Sequence, residues 1–273
     1  MECIPLYYII QKMSPNKKSV KSVKRAVRIL KSFLPDRQEM ELYEIVERCA
    51  IPKSTVHRIL KTLQQEGFIV QDSVSDKYKL GVALFNLGNL AFKGVEFQNI
   101  ALPYLEELST ETGEAGHLGF LDKNEIVTIG FSASSSPLGV RFYIGNRSPL
   151  YCTGVGKATL AFQTKEKIYQ ILEEEKQKFT ENTITEKGKL AKELRKIRDQ
   201  GYAVDNMENE RDIRCIAAPI RDYRKKVIGA VSVSGPSVRV TKKKIPEIVP
   251  KVKKIANQIS IELGAKVVAE KNQ

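Results

Sequence analysis

A chain of 273 residues is long enough for two domains, each burying its own core. Its 45 Lys and Arg against 32 Asp and Glu leave a net charge of +13, which favours a polyanionic partner, though charge alone suits a membrane surface equally. Cys3, Cys49, Cys152 and Cys215 show neither paired nor metal-ligand spacing, which argues against a secreted disulfide scaffold and for reduced thiols in a cytoplasm.

Residues 1–16 read as an N-terminal extension. The apolar run MECIPLYYIIQKM is too short to span a bilayer and lacks the basic start of a secretory signal. It reads either as a disordered extension or as a misassigned start, with Met13 the true first residue. From Lys17 to Lys31 seven Lys and Arg occur without one acidic residue. A helix is expected over Ser22–Leu34, with Val23, Ala26, Val27, Leu30 and Phe33/Leu34 inward, ended by Pro35-Asp36.

Two short amphipathic helices follow, one tight turn apart. Leu42, Ile45, Val46 and Cys49 fall at i, i+3, i+4 and i+7 on one helical face. Ala50-Ile51-Pro52 breaks that helix, because proline has no N–H to continue the ladder and suits the first turn of a new one. The second helix repeats the spacing with Val56, Ile59, Leu60 and Leu63, and Gly67 caps it. Its other face carries Lys53, Ser54, Thr55, His57, Arg58 and Lys61. Phe68–Val70 and Tyr78–Leu80 then read as a hairpin around Ser73–Asp76. Helix, turn, basic helix and hairpin make a winged helix-turn-helix, expected over residues 17–80.

The residue types suit double-stranded DNA. A helix fits the major groove, where Arg58 could fork onto a guanine and Ser54, Thr55 and His57 could bond bases or phosphates. Lys53, Lys61 and Lys77 would neutralise phosphates, positioning without specifying. A solvated helix face is the plainer reading of the same charges. Spacing, turn, wing and charge together favour DNA.

Residues 81–98 are expected to be a linker helix, its stripe of Val82, Leu84, Phe85, Leu87 and Leu90 too apolar to stand in water alone. It reads as a dimer-forming element. From residue 99 to 267 helices and strands are interspersed without regular βαβ spacing. Strands are expected at Gly116–Leu121, Glu125–Phe131, Leu138–Tyr143, Tyr202–Val204, Cys215–Ile220 and Val227–Val233. Helices are expected at Ile100–Thr112, Gly154–Phe162, Lys165–Lys178, Thr185–Gln200 and Lys243–Leu263. The class is therefore α+β, with a largely antiparallel sheet and helices outside. The basic run Lys242–Lys254 reads as a solvated helix face, and residues 268–273 as a tail.

The chain resembles the isocitrate-lyase regulator (IclR) family of bacterial transcription factors. The resemblance rests on PKSTVHRILKTLQQEGFIV, YKLG at Tyr78–Gly81, LPYLEELSTETGEAGHLGFLD, SPLYCTGVGKATLAF at Ser148–Phe162, GYAVDNMENERDIRCIAAPIRD at Gly201–Asp222, and VSVSGP at Val231–Pro236. It implies a winged helix-turn-helix, a linker helix and a GAF-like effector-binding domain with an antiparallel sheet. It also implies homodimers or homotetramers on palindromic operators, most often repressors, answering to small organic acids.

The family's effector pocket maps onto Gly154 and Val155 in the loop-to-helix segment, and onto Asp205, Cys215, Ser232 and Ser234 opposite. Ser232 and Ser234 lie two apart on one strand and so share a face. On the residues alone, hydroxyls bonded to local backbone and glycines allowing close helix packing fit as well; the resemblance favours the pocket. The family pattern carries glycine where Asp212 stands, so the loop beside the pocket is expected to differ.

Catalysis is not expected. GVGKA lacks the glycine (Tyr151) and the Ser/Thr (Ala158) of a phosphate-binding P-loop. A nucleophilic Cys215 or Ser234 would want a histidine base. His57 belongs to the DNA helix, and His117, in GHLGF, reads as a core residue. No metal-binding spacing appears, and neither a cofactor nor a membrane partner is expected.

Overall fold

The structure is a computed structural model describing residues 19–33, 37–91 and 94–265. The N-terminal extension, Pro35, Asp36 and the C-terminal tail lie outside the described residues; the helix expected to run to Leu34 ends earlier, at Leu30. The chain divides into two compact units between residues 92 and 93.

The first unit holds α1 (Lys21–Leu30), β1 (Glu39–Met40), α2 (Leu42–Cys49), α3 (Lys53–Gln65), β2 (Ile69–Gln71), β3 (Tyr78–Leu80) and α4 (Val82–Ala91). Its small antiparallel sheet has the order β1-β3-β2. Ile29, Met40, Ile45, Val56, Leu60 and Ile69 are buried together beneath the wing. Each such side chain contributes about 1.5–3 kcal/mol on leaving water.

Local chemistry explains the joints. A capping box between Glu41 and Glu44 opens α2, and Ala50 closes it in the left-handed region. Gly67, at φ +72°, ends α3. The Phe68 N–H donates to the Leu63 carbonyl and the Gly67 N–H to that of Gln64, which is a Schellman cap.

Three expectations for this unit are corrected. Val23 and Val27 of α1 are exposed and Ile29 is its buried anchor, while Phe33, just beyond the end of the helix at Leu30, is buried as expected. The first hairpin strand begins at Ile69, because the Phe68 N–H is committed to the helix cap. A third strand, β1, pairs with β3 at the opposite edge of the small sheet.

The second unit contains α5 (Gly94–Thr112), β4 (Ala115–Asp122), β5 (Glu125–Ser132), β6 (Arg147–Pro149), α6 (Gly154–Leu160), α7 (Lys165–Glu173), α8 (Lys187–Gln200), β7 (Ala203–Asn206), β8 (Ile213–Arg221), β9 (Val227–Pro236) and α9 (Ile245–Glu262). Its six strands form one antiparallel sheet in the order β6-β5-β4-β9-β8-β7. Val155, Ala158, Leu190, Leu194, Ile197 and Ala217 belong to the core that joins α6 and α8 to the sheet. Helices α5 and α9 pack against each other and against the sheet as well. Lys254 of the second basic run reaches Glu107 and Glu111 of α5, and other lysines of the run stay exposed. Lys251 and Lys253 are half-buried, and Lys251 donates to the Glu111 carbonyl, so the run is a solvated face only in part.

Residues 138–143 do not form the expected strand. The edge of β5 is taken by β6, and Arg239, paired with Glu114, donates to the Leu138 carbonyl at 2.7 Å. The apolar alternation there reflects exposed Leu138 and Tyr143 and a half-buried Phe142 that stacks on His117.

Asp212 has φ +61°, a conformation that glycine adopts without steric penalty and aspartate tolerates. Asp212→Gly is therefore expected to stabilise the protein by up to about 1 kcal/mol, read as a higher urea midpoint. A lower midpoint would show that the Asp212 side chain makes a stabilising contact.

Candidate nucleic-acid interface and ligand site

Helix α3 divides cleanly between core and solvent. Val56 and Leu60 are fully buried, with Ile59 and Leu63 partly so. Lys53, Ser54, His57, Arg58 and Lys61 are exposed on the same helix, while Thr55 and the wing's Lys77 are half-buried. Ser54, His57, Arg58 and Lys61 fall at i, i+3, i+4 and i+7, so their side chains rise from one stripe. Two cations elsewhere in this unit find carboxylates: Arg37 lies 3.9 Å from Glu44 and Lys79 lies 3.8 Å from Glu39. Among the described residues, no carboxylate lies within ion-pair distance of Lys53, Arg58, Lys61 or Lys77. An exposed stripe of cations and hydroxyls on a helix is suited to a phosphate-lined groove.

In the second unit the expected ligand residues come together on one face of the sheet. Register places Asp205 opposite Cys215, and Cys215 opposite Ser234. One step along, Ala203, Ala217, Ser232 and His117 form the adjacent row. Directly paired side chains stand about 4.5–5.5 Å apart at Cβ. Helix α6 crosses this face at its first turn, and a Cβ on Gly154 would sit 3.1 Å from the Cβ of Cys215. Glycine is therefore what allows the helix so close. Thr153 caps it, accepting from the Gly156 N–H at 3.0 Å and donating to the Pro149 carbonyl. Val155 is buried against Gly119.

The polar groups of this face are nearly dry. Ser232 and Ser234 are buried with their hydroxyl oxygens 3.4 Å apart. Burial, reinforced by the Asp205 carboxylate, pushes both the Cys152 and Cys215 thiols up. They are neutral and unsuited to nucleophilic work. Asp205 is 3% exposed, and its pKa is pushed up to about 7 by burial against the opposing pull of the Glu208 and Asn209 backbone N–H groups. The Glu208 N–H donates to Asp205 Oδ1 at 2.7 Å.

Two groups were absent from the expected set. Lys157, at 0% exposure the largest fully buried side chain among the described residues, ion-pairs with Glu208 and donates to the Val204 carbonyl at 2.8 Å. Its Nζ also lies 3.7 Å from Glu193 of α8. The signal for Lys157 was its place in GVGKA, one turn beyond Gly154 on an otherwise apolar helix. No sequence signal marks Glu208. His117 is a core residue as expected: its Nε2 lies 3.0 Å from the Thr128 hydroxyl, and its ring stacks on Phe142 at 4.1 Å. Among the described residues, no group of three or more His, Cys, Asp or Glu side chains could hold a metal ion.

The IclR helix-turn-helix family model matches residues 22–73, and the model for the bacterial transcriptional regulator IclR C-terminal domain matches residues 90–261. The chain belongs to the IclR family. This IclR-family regulator is 38% identical to the HTH-type transcriptional regulator KdgR of Escherichia coli K12 over 247 residues, spanning 90% of the chain and 94% of KdgR. It is 31% identical to the HTH-type transcriptional repressor AllR of the same strain over 250 residues, spanning 91% of the chain and 92% of AllR. Its fold matches an IclR homolog from Microbacterium hydrocarbonoxydans with a TM-score of 0.80 at 24% identity, covering 89% of the chain and 98% of the homolog. KdgR and AllR are named as an HTH-type transcriptional regulator and an HTH-type transcriptional repressor.

Burial holds the His117 imidazole down at about 3, below the ordinary value near 6.5. The unfolded chain therefore takes up a proton that the folded one refuses. The His117 contribution to stability is constant above about pH 6.5 and falls by up to roughly 1.4 kcal/mol per pH unit below it, while the raised Asp205 carboxyl contributes in the opposite sense over the same range. Urea unfolding of wild type and His117→Gln across that range is expected to show a shallower acid loss in the variant; identical slopes would mean that His117 is protonated in the fold.

Proposed function

We propose that the chain is a transcriptional repressor that binds a palindromic operator as a homodimer or homotetramer and leaves it when a small organic acid occupies the second unit. The observation that carries this reading is the pairing of two unlike polar surfaces. Unit one presents unpaired cations and hydroxyls on α3, and unit two gathers Asp205, Cys215, Ser232 and Ser234 on one buried face beneath Gly154 and Val155. Proteins that answer to a metabolite at a promoter need both.

In this reading Arg58, His57, Ser54 and Thr55 read base edges, and Lys53, Lys61 and Lys77 hold phosphates. Two α3 helices of a dimer enter successive major grooves about 34 Å apart, which demands a two-fold site. The exposed Val82, Phe85 and Leu87 of α4, Phe85 at 66%, support its role as the element joining copies. The winged unit corresponds to residues 17–80, the linker to 81–98 and the effector domain to 99–267. An effector that prefers one arrangement of the dimer lowers operator affinity, and the operator lowers effector affinity by the same factor. AllR is named a repressor, and the Microbacterium homolog was crystallised with 4-hydroxybenzoate, an aromatic acid; both lend weight by kinship.

Arg58→Ala is expected to lose about 1–3 kcal/mol of discrimination at one base position, measured by competition among operator variants. An equal loss on every sequence would make Arg58 a phosphate contact instead. Ser234→Ala is expected to raise the acid concentration needed for half-release of the operator by roughly tenfold, the scale of one hydrogen bond to a charged group. An unchanged release curve would remove Ser234 from the ligand site.

A further inference from the structure

The charges around Asp205 do not balance for an acid ligand. From α6 it faces Lys157; from the turn after β7, Glu208; from the segment before α6, Cys152; from β8, Cys215. Glu193 of α8 and Glu210 act at longer range on Glu208 and Cys215. Lys157 is the one cation in this set, and it is already committed to Glu208, the Val204 carbonyl and Glu193. Glu208 itself is 4% exposed, and its second oxygen has no hydrogen-bond partner among the described residues. An organic carboxylate entering beside Ser232, Ser234 and Cys215 therefore adds negative charge to a face whose ammonium is fully engaged. In a water-poor site such repulsion is screened weakly.

A proton removes the conflict. An ionised aspartate only accepts hydrogen bonds, whereas a protonated one donates through its O–H to an incoming carboxylate. We propose that acid effectors bind with uptake of one proton from solvent onto Asp205, which makes Asp205 the donor that selects for a carboxylate. Burial raises Glu208 as well, but its ion pair with Lys157 opposes that rise, and the pair pins the Asp205–Glu208 turn through the Glu208 N–H bond to Asp205 Oδ1. Asp205, with no ion-pair partner of its own among the described residues, is the titrating member. The proton is cheap to acquire near neutrality, because burial already holds Asp205 at about 7. This inference rests on the effector reading and adds that operator release responds to pH as well as to ligand.

The test is isothermal calorimetry on the full chain with glyoxylate, pyruvate, D-gluconate and 4-hydroxybenzoate between about pH 6 and 8, in phosphate and in Tris, whose ionisation enthalpies differ. The expected result is a dissociation constant rising toward tenfold per pH unit above about 7, with close to one proton taken up per site at the alkaline end. Asp205→Asn should abolish both. Should that variant fail to fold, an infrared difference spectrum of wild type carries the test, acid addition giving a protonated-carboxyl C=O band. Acid binding with a flat pH profile and a buffer-independent enthalpy overturns the proton uptake and leaves the effector site standing. Failure of all four acids at every pH, with no change in their presence of operator affinity, counts against the acid-effector reading and takes this inference with it.

Discussion

The register of the larger sheet is the constraint on which the ligand face depends. Side chains alternate along each strand, so Asp205, Cys215, Ser232 and Ser234 share a face only while β7, β8 and β9 keep their present pairing. A slip of one residue at β8 would turn Cys215 and Ala217 away from α6 and bring Arg214 and Ile216 beneath it. The same slip would place a charged guanidinium under the first turn of α6. Ile216, Val231 and Val233 are fully buried on the opposite face, so their burial and the polar row enforce one register together.

The two units treat polar side chains in opposite ways, and the difference is functional. On α3 the cations are exposed and, among the described residues, unpaired, which costs little in the free protein and leaves them available to exchange water and counterions for phosphates. In the second unit polar groups are buried, where each must be satisfied or shift its protonation. Lys157 is satisfied by Glu208, Val204 and Glu193. Ser232 and Ser234 lie within reach of each other. Asp205 is held by two backbone N–H groups but faces excess negative charge. Buried ion pairs are weak contributors to stability because desolvation offsets attraction. Lys157–Glu208 is better understood as the fixture that sets the turn carrying Asp205.

Much of this was legible from sequence where local chemistry dominates. The α2 and α3 boundaries follow from amphipathic spacing, Pro52 and the Gly67 cap, all written within a few residues. Ser232 and Ser234 share a face because the strand period is two. Where two arrangements satisfy the same local rule, sequence could not choose. Val23 and Val27 form one helical stripe and Ala26 and Ile29 another, and only the tertiary contact selects the second. Residues 138–143 alternate like a strand, yet they pair with no strand among the described residues, and β6 is what pairs with β5 at Glu125–Val127. Strand β1 is two residues long and carries no periodic signal. Lys157 was the hardest to place, because a lysine on a helix is ordinarily solvated. Its burial depends on a glutamate 51 residues away, a pairing that only the fold creates.

The central claim is sequence-specific recognition through α3, and the direct measurement is selection of bound duplexes from a random pool, followed by anisotropy on the enriched site across a salt series. Enrichment of a two-fold sequence with half-sites about one helical turn apart, preferred by roughly 10³-fold or more over scrambled DNA, is the predicted result. A pool that yields no enriched sequence, with binding equal on all duplexes and collapsing as salt rises, would contradict it and reduce the exposed face of α3 to a general polyanion contact.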